Sequence, residues 1–344
     1  MTADSNVPSL RSPALPPAGI RRRQVLQMGL LLGMSGLSGC ARAAAPTLMA
    51  APETLPMLWR RRIAKPWQYK PLESIRQLEG QLPLPADLLA LPDGWVPQLP
   101  PDALQSLGAP SLRERLSQQA VSLLGSFPPD LAAALLPVSV SPWVMVFRGD
   151  DDGPNVAKQG WKTLLEPGLA GQVVLPASPR LVLSLADHID APDALRRLRG
   201  AARVFDDRHA LNWLLQGKAR VAVLPLVRCM KMLRSDPRVK AVLPEQGAPL
   251  NWTLLMRPAT TKEPLPQAWV EEAWSEPLLA GLLAEGWVPP LPQQVFRGLR
   301  ASVPSRLRPV VLPPQSIWDR CWSLSPLSPP EAQQLAERWD DSTP

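Results

Sequence analysis

An α/β protein with a mostly parallel sheet, carried behind an export leader, is what the sequence predicts, and three observations predict it. From Trp161 onward, short apolar strands alternate several times with stretches of helical spacing, the pattern of strand-helix-strand units lying side by side in one sheet. With residues 1–39 set aside as leader, 305 residues remain, enough for one large domain or two lobes with cores of their own. Proline is abundant at 44, yet hydrophobic content is ordinary at 45% and no low-complexity repeat occurs. The prolines therefore punctuate a globular chain.

The leader is Ile20 to Cys40, IRRRQVLQMGLLLGMSGLSGC. It holds a basic start at Arg21, Arg22 and Arg23, an apolar run from Val25 to Leu37 and a small-residue boundary ending in cysteine, the order of an export signal. The apolar run is shorter than the roughly 20 residues a membrane span needs. Arg22-Arg23-Gln24-Val25-Leu26-Gln27 resembles the twin-arginine export motif, with Gln27 in place of the usual lysine and Arg21 in place of the usual Ser or Thr. Leu37-Ser38-Gly39-Cys40 resembles the bacterial lipobox, which implies that Cys40 is lipidated and becomes the first residue after cleavage. The expected location is the periplasm, tied to a membrane by that lipid.

Losing residues 1–39 removes four arginines and one aspartate, so the net charge falls from +7 to +4. No run of five basic residues exists beyond the leader, and Arg60-Arg61-Arg62 is the longest; nothing here predicts a nucleic-acid partner. All 13 tryptophans lie beyond the leader, beside one tyrosine, Tyr69. Apart from Cys40 only Cys229 and Cys321 occur, which leaves open one disulfide or two buried thiols and excludes a disulfide scaffold.

Residues 40–54 are rich in Ala, Pro and Thr and read as a tether, so the fold is expected to start near Leu55. Leu72 to Leu82 has helical apolar spacing, Asp87 to Leu91 reads as a buried strand, and Pro92-Asp93-Gly94-Trp95 is a turn at its carboxyl end, where open α/β sheets place ligands. Leu112 to Leu124 is a helix candidate. Leu131 to Phe147 is almost wholly apolar, but Pro137 and Pro142 interrupt it, so it reads as a helix ending near Leu136 followed by extended chain. Beyond an acidic loop, helices are expected at 161–165, 178–186, 193–199, 207–216 and 269–283, and strands at 173–175, 220–224, 239–243 and 251–256. Two short elements, 317–324 and 329–339, are expected to pack back on the first lobe through Trp318, Trp322 and Trp339.

Four ordered stretches carry a family resemblance. They are GWKTLLEPGLAGQVVLPASPRLVLSL, Gln216 to Ala222, Leu243-Pro244-Glu245-Gln246-Gly247-Ala248 with Trp252, and Ser275-Glu276-Pro277 followed by Glu285-Gly286-Trp287-Val288-Pro289. In that order they resemble bacterial extracellular solute-binding proteins of the spermidine/putrescine group. The resemblance implies an α/β, two-lobe periplasmic-binding-protein fold of the second type, in which hinged lobes clamp a small-molecule ligand. It places a first lobe at 55–142, a second at 143–252, and a return to the first with a C-terminal tail at 253–344. The hinge crossovers would be Ser141-Pro142-Trp143 and Gly247 to Trp252. A monomer working with an ABC permease is the implied partnership, and no cofactor or metal is expected.

The polyamine part of the resemblance fails residue by residue. Pairing ammonium groups needs carboxylates, but the group's two acidic positions at the helix start fall on Ser178 and Leu181, and its aspartate beyond the hinge tryptophan falls on Leu254. Trp252 alone remains. Candidate cleft residues are therefore Trp252, Trp95 and Trp143, which can equally be core, Asp93, which can equally be a solvated turn residue, Ser178, and Arg180, which can meet a ligand anion or a structural partner. Enzyme chemistry finds no support: there is no G-x-S-x-G, no H-E-x-x-H, no phosphate-binding glycine loop, and His188 and His209 are the only histidines. A lipoprotein of the same fold that binds a partner instead of a solute is the alternative.

Overall fold

The computed structural model describes residues 45–149 and 153–344. The leader, with Arg22, Arg23 and Cys40, lies outside the described residues. The described residues form ten strands: β1 (Thr47–Ala50), β2 (Gln68–Pro71), β3 (Leu88–Pro92), β4 (Leu104–Gln105), β5 (Leu135–Arg148), β6 (Val173–Leu175), β7 (Ala202–Phe205), β8 (Val221–Pro225), β9 (Val239–Val242) and β10 (Leu250–Pro258). They follow one hydrogen-bonded path, β2-β1-β3-β10-β5-β8-β6-β7, with β4 on β10 and β9 on β5.

Two lobes arise because β5 changes partners midway. Its first half, through Pro142, pairs antiparallel with β10, where Pro142 faces Leu250. Its second half pairs with β8 from Trp143, and with β9 from Met145. Proline has no N–H to give a ladder, so Pro142 falls where the ladder changes hands. The first lobe's sheet is β2-β1-β3-β10-β5 and the second's is β9-β5-β8-β6-β7. The expected mostly parallel sheet is corrected to a mixed one. β1 is parallel to β2 and β3, and β6 to β7 and β8, but the two long crossing strands run antiparallel to their neighbours.

Several expectations need correction for local reasons. The tether does not reach residue 54, because β1 is an inner strand whose Leu48 and Ala50 are wholly buried. The 72–82 helix shrinks to one 3-10 turn, Ile75–Gln77, capped by Ser74; Leu72 and Leu78 are buried without it. The 112–124 helix is two, Pro110–Arg113 and Gln118–Gly125, the second starting where Ser117 accepts from the Ala120 N–H. The 269–283 helix breaks at Pro277 into Gln267–Ala273 and Leu278–Ala284. The helix Leu226–Ser235 was not anticipated. Its Val227 N–H is capped by the buried Ser141 hydroxyl at 3.0 Å. Cys229 and Cys321 are both free and buried. No described helix is long and apolar enough to cross a membrane.

The tail also departs from expectation. Its helix Pro329–Asp341 lies on the second lobe, against the helices Pro179–Ala186 and Ala194–Ala201. The reason is chemical: Arg199 sits 4.1 Å over the Trp339 ring and donates to the Ser342 hydroxyl, and Phe205 meets the same indole edge-on at 5.5 Å. Trp318 keeps a tie to the first lobe, its carbonyl accepting from Gln119.

Candidate ligand-binding cleft

Parallel strands deliver their carboxyl ends to one edge, and each lobe has such an edge. In the first lobe, β1 leads to Glu53 and β3 to Asp93; in the second, β6 leads to Ser178 and Arg180, β7 to Asp207 and β8 to Arg228. The two edges face each other, because the Arg228 Nε lies 2.9 Å from the Glu53 carboxylate. This is the crevice in which sheets of this type hold ligands.

Asp93 stands at the centre of the hinge side. It opens the 3-10 turn Asp93–Gln98 beyond β3, and its carboxylate accepts from the Trp252 backbone N–H at 3.1 Å. Burial pushes its pKa up to about 6, against the opposing pull of the Trp252, Asp93 and Gly94 amides and of the Arg180 charge. Arg180 is itself held below its ordinary range by burial, with Asp93 and Glu331 of the tail acting in the other direction. Across the crevice the Asp207 carboxylate accepts from the Ala177 N–H at 3.1 Å; burial raises its pKa although Ala177 and Arg228 oppose this.

Of the residues expected at the site, the structure brings together Trp252, Asp93 and Arg180. Trp252 is fully enclosed, its indole N–H donating to the Ser323 hydroxyl at 2.9 Å. Trp143 is half-buried at the point where β5 changes lobes, its N–H donating to the Pro249 carbonyl at 2.9 Å. Trp95 is half-buried in the turn after β3, and Ser178 is exposed ahead of its helix with no capping bond from its side chain. No hydrogen bond among the described residues joins Trp95, Trp143 or Ser178 to the Asp93 cluster. Sequence reasoning missed Glu53, Asp207, Arg228, Ser323 and Glu331. Glu53 fell in the supposed tether and Arg228 on the unassigned helix; Asp207 was read only as the start of the 207–216 helix, because the strand before it, β7, was not among the expected strands.

Of the three positions that would neutralise a polycation, Ser178 is exposed and uncharged, and the other two are not merely apolar but internal. Leu181 is 2% exposed and Leu254 wholly buried, so both belong to the core rather than to the crevice wall. Each described crevice carboxylate already has a cation or a backbone donor near it: Glu53 has Arg228, Asp207 has Ala177 and Arg228, and Asp93 has Trp252 and Arg180. Among the described residues no group of three His, Cys, Asp or Glu is placed to hold a metal ion. A separate, largely apolar cavity of about 510 Å³ lies on the outside of the second lobe beside Leu233, Val239, Val242 and Val310, lined by none of the expected site residues.

No family model matches the chain and no curated protein matches it in sequence. Solved structures do match in fold. The spermidine/putrescine ABC transporter substrate-binding protein PotD from Streptococcus pneumoniae superposes with a TM-score of 0.62 at 14% identity, over 86% of this chain and 98% of that one. The Tp0655 (TpPotD) lipoprotein of Treponema pallidum gives 0.62 at 12% identity, over 87% and 99%. The substrate-binding protein of an ABC transporter from Agrobacterium tumefaciens gives 0.61 at 14%, over 88% and 96%. The chain therefore has the two-lobe fold of periplasmic binding proteins.

Proposed function

We propose that this chain is the extracytoplasmic solute-binding component of an ABC-type importer, exported through its Arg22-Arg23 leader, lipid-anchored at Cys40 and acting as a monomer that holds a small molecule between its lobes. One observation carries the reading: two rows of strand ends face each other across a two-strand hinge, with Glu53 and Arg228 meeting over the gap. Two of the fold neighbours are named as substrate-binding proteins of ABC transporters, and a third as a lipoprotein. Binding suits a crevice whose described polar groups are carboxylates beside guanidiniums and backbone amides.

The ligand we infer is small and carries charges of both signs, or none. Among the described crevice residues Glu53, Asp93 and Asp207 each already have a cation or a backbone donor beside them, and an ammonium buried without a carboxylate of its own costs several kcal/mol, enough to weaken binding by orders of magnitude. The test is native mass spectrometry of freshly purified protein for retained molecules, followed by thermal shift across amino acids, carboxylates, phosphonates, sugars and polyamines. A zwitterionic or neutral ligand that raises the melting temperature by mass action, and does so less in Arg180→Ala, supports the reading. Submicromolar spermidine binding by calorimetry overturns its ligand class. For the anchor, Cys40→Ala should leave the protein free of the membrane fraction, and an unmodified Cys40 at the mature terminus would remove that part.

A further inference from the structure

The tail is bonded to both lobes through adjacent residues. Trp322 zips onto the second crossover: its N–H donates to the Ala248 carbonyl at 3.0 Å and its carbonyl accepts from the Leu250 N–H at 2.7 Å. The approach needs a residue without a Cβ at Gly247, where φ is +92° and a Cβ would lie 2.2 Å from the Arg320 carbonyl oxygen. The Trp322 ring stacks on His188 with centroids 3.5 Å apart and planes 7° from parallel, and its indole N–H donates to the Ser184 hydroxyl at 2.7 Å, both on the second lobe. One residue on, the Ser323 hydroxyl takes the indole N–H of Trp252, whose backbone is held by Asp93 of the first lobe.

An opening of the lobes about the two crossovers carries Ser184 and His188 away from Trp252 and Asp93, so it breaks one of these sets of contacts. Beyond Ser323 the chain is lightly held. Residues 324–328 are half-buried or exposed, and the helix Pro329–Asp341 is covered only partly, at Leu335 and Trp339. A segment with so little core of its own is the kind of unit that undocks before the rest unfolds. Its far end is fixed by Trp339 through Arg199 and Phe205, and by Arg338 at 2.6 Å from Asp187.

We propose that residues 320–344 are an intramolecular strap that holds the cleft shut over Trp252 and must undock for the lobes to part. This goes beyond the solute-binding reading and does not depend on any ligand. The test compares the full chain with Trp339→Ala and with a chain ending at Leu324, reading Trp252 alone as the difference in acrylamide quenching between each protein and its Trp252→Phe counterpart, with small-angle scattering alongside. Trp252 is expected to be almost unquenched in the full chain. Quenching should rise several-fold in both shortened or undocked forms, together with a larger radius of gyration, while Trp339→Phe behaves as the full chain. Unchanged quenching and unchanged scattering in Trp339→Ala would overturn the proposal. So would a Trp339→Ala chain that does not fold, because the helix would then be core and not strap.

Discussion

Two sets of tryptophans in this molecule do opposite work. In the first lobe Trp59, Trp269 and Trp287 form a closed group: Trp59 stacks on Trp269 with centroids 4.2 Å apart, and Trp287 tilts against Trp59 at 4.8 Å. The first two satisfy each other, each indole N–H donating to the other residue's backbone carbonyl, at 2.9 and 3.1 Å. At the hinge, Trp252 and Trp322 are paired instead with serine hydroxyls, Ser323 and Ser184, borrowed from other elements. A tryptophan whose partner is backbone of its own core has nowhere to go. One whose partner is a hydroxyl on a lightly held segment can exchange that partner, which is what a hinge requires.

The largest test of the comparison is Trp269→Ala. Trp59 and Trp269 are 210 residues apart in sequence, so this pair ties the first described helix, Met57–Arg60, to the returning segment. Loss of a buried indole together with its reciprocal bond should cost about 3–5 kcal/mol in chemical denaturation. A loss under 1 kcal/mol would mean the stack is not what closes the first lobe. Next in size is Gly247→Ala, which adds a Cβ against the Arg320 carbonyl at a backbone conformation side chains rarely adopt. It should destabilise by about 3 kcal/mol and increase amide exchange at Trp322, whereas Gly94→Ala, with open space around it, should change little.

These variants also mark what the sequence could say. The strand-helix alternation from Trp161 and the turn at Asp93 were legible, because apolar period and proline or glycine punctuation are local signals; the crossovers near Pro142 and Gly247 came only from the family resemblance. The sorting of tryptophans was not. Trp59 is followed by Arg60-Arg61-Arg62 whereas Trp252 lies in an apolar run, yet the first is core and the second hinge, which only the register of β10 and the path of the tail decide. β1 was lost for a related reason, since a four-residue strand in an Ala- and Pro-rich stretch looks like a linker until β2 and β3 flank it. The tail was assigned to the first lobe because Trp339 needs an apolar face and nothing local says that Arg199 and Phe205 supply it.

Asp93→Asn sharpens the hinge side through pH. The folded-state carboxyl titrates near 6 against a reference of 3.8, so the folded protein holds its proton longer than the unfolded chain does. Its contribution is therefore most favourable below pH 4, declines as pH rises through about 4 to 6, and is flat above. Asparagine keeps an oxygen for the Trp252 N–H and has no proton to lose. The variant should match wild type at pH 4 and exceed it at pH 7.5 by as much as about 3 kcal/mol, less whatever Arg180 recovers. Equal melting curves at both pH values would show that Asp93 is solvated in the folded protein. A gain in stability with loss of ligand response would show the opposite, a charge kept at a cost because the cleft uses it.

The smallest effect is the most diagnostic of the contrast between the two tryptophan sets. Ser323→Ala removes the hydroxyl that the enclosed Trp252 indole donates to at 2.9 Å, leaving a neutral donor that a water can satisfy if the tail shifts slightly. The expected loss is about 1 kcal/mol. Trp252→Phe removes the donor from the other side, so the double variant Ser323→Ala with Trp252→Phe should be little worse than Trp252→Phe alone. A coupling near 1 kcal/mol assigns the loss to this bond. In the Trp59 and Trp269 pair no such cycle is possible with side-chain hydroxyls, because the acceptors are main-chain carbonyls. Additive losses at the hinge would therefore dissolve the distinction: Trp252 would be held by shape alone, as a core residue is, and Ser323 would be a bystander.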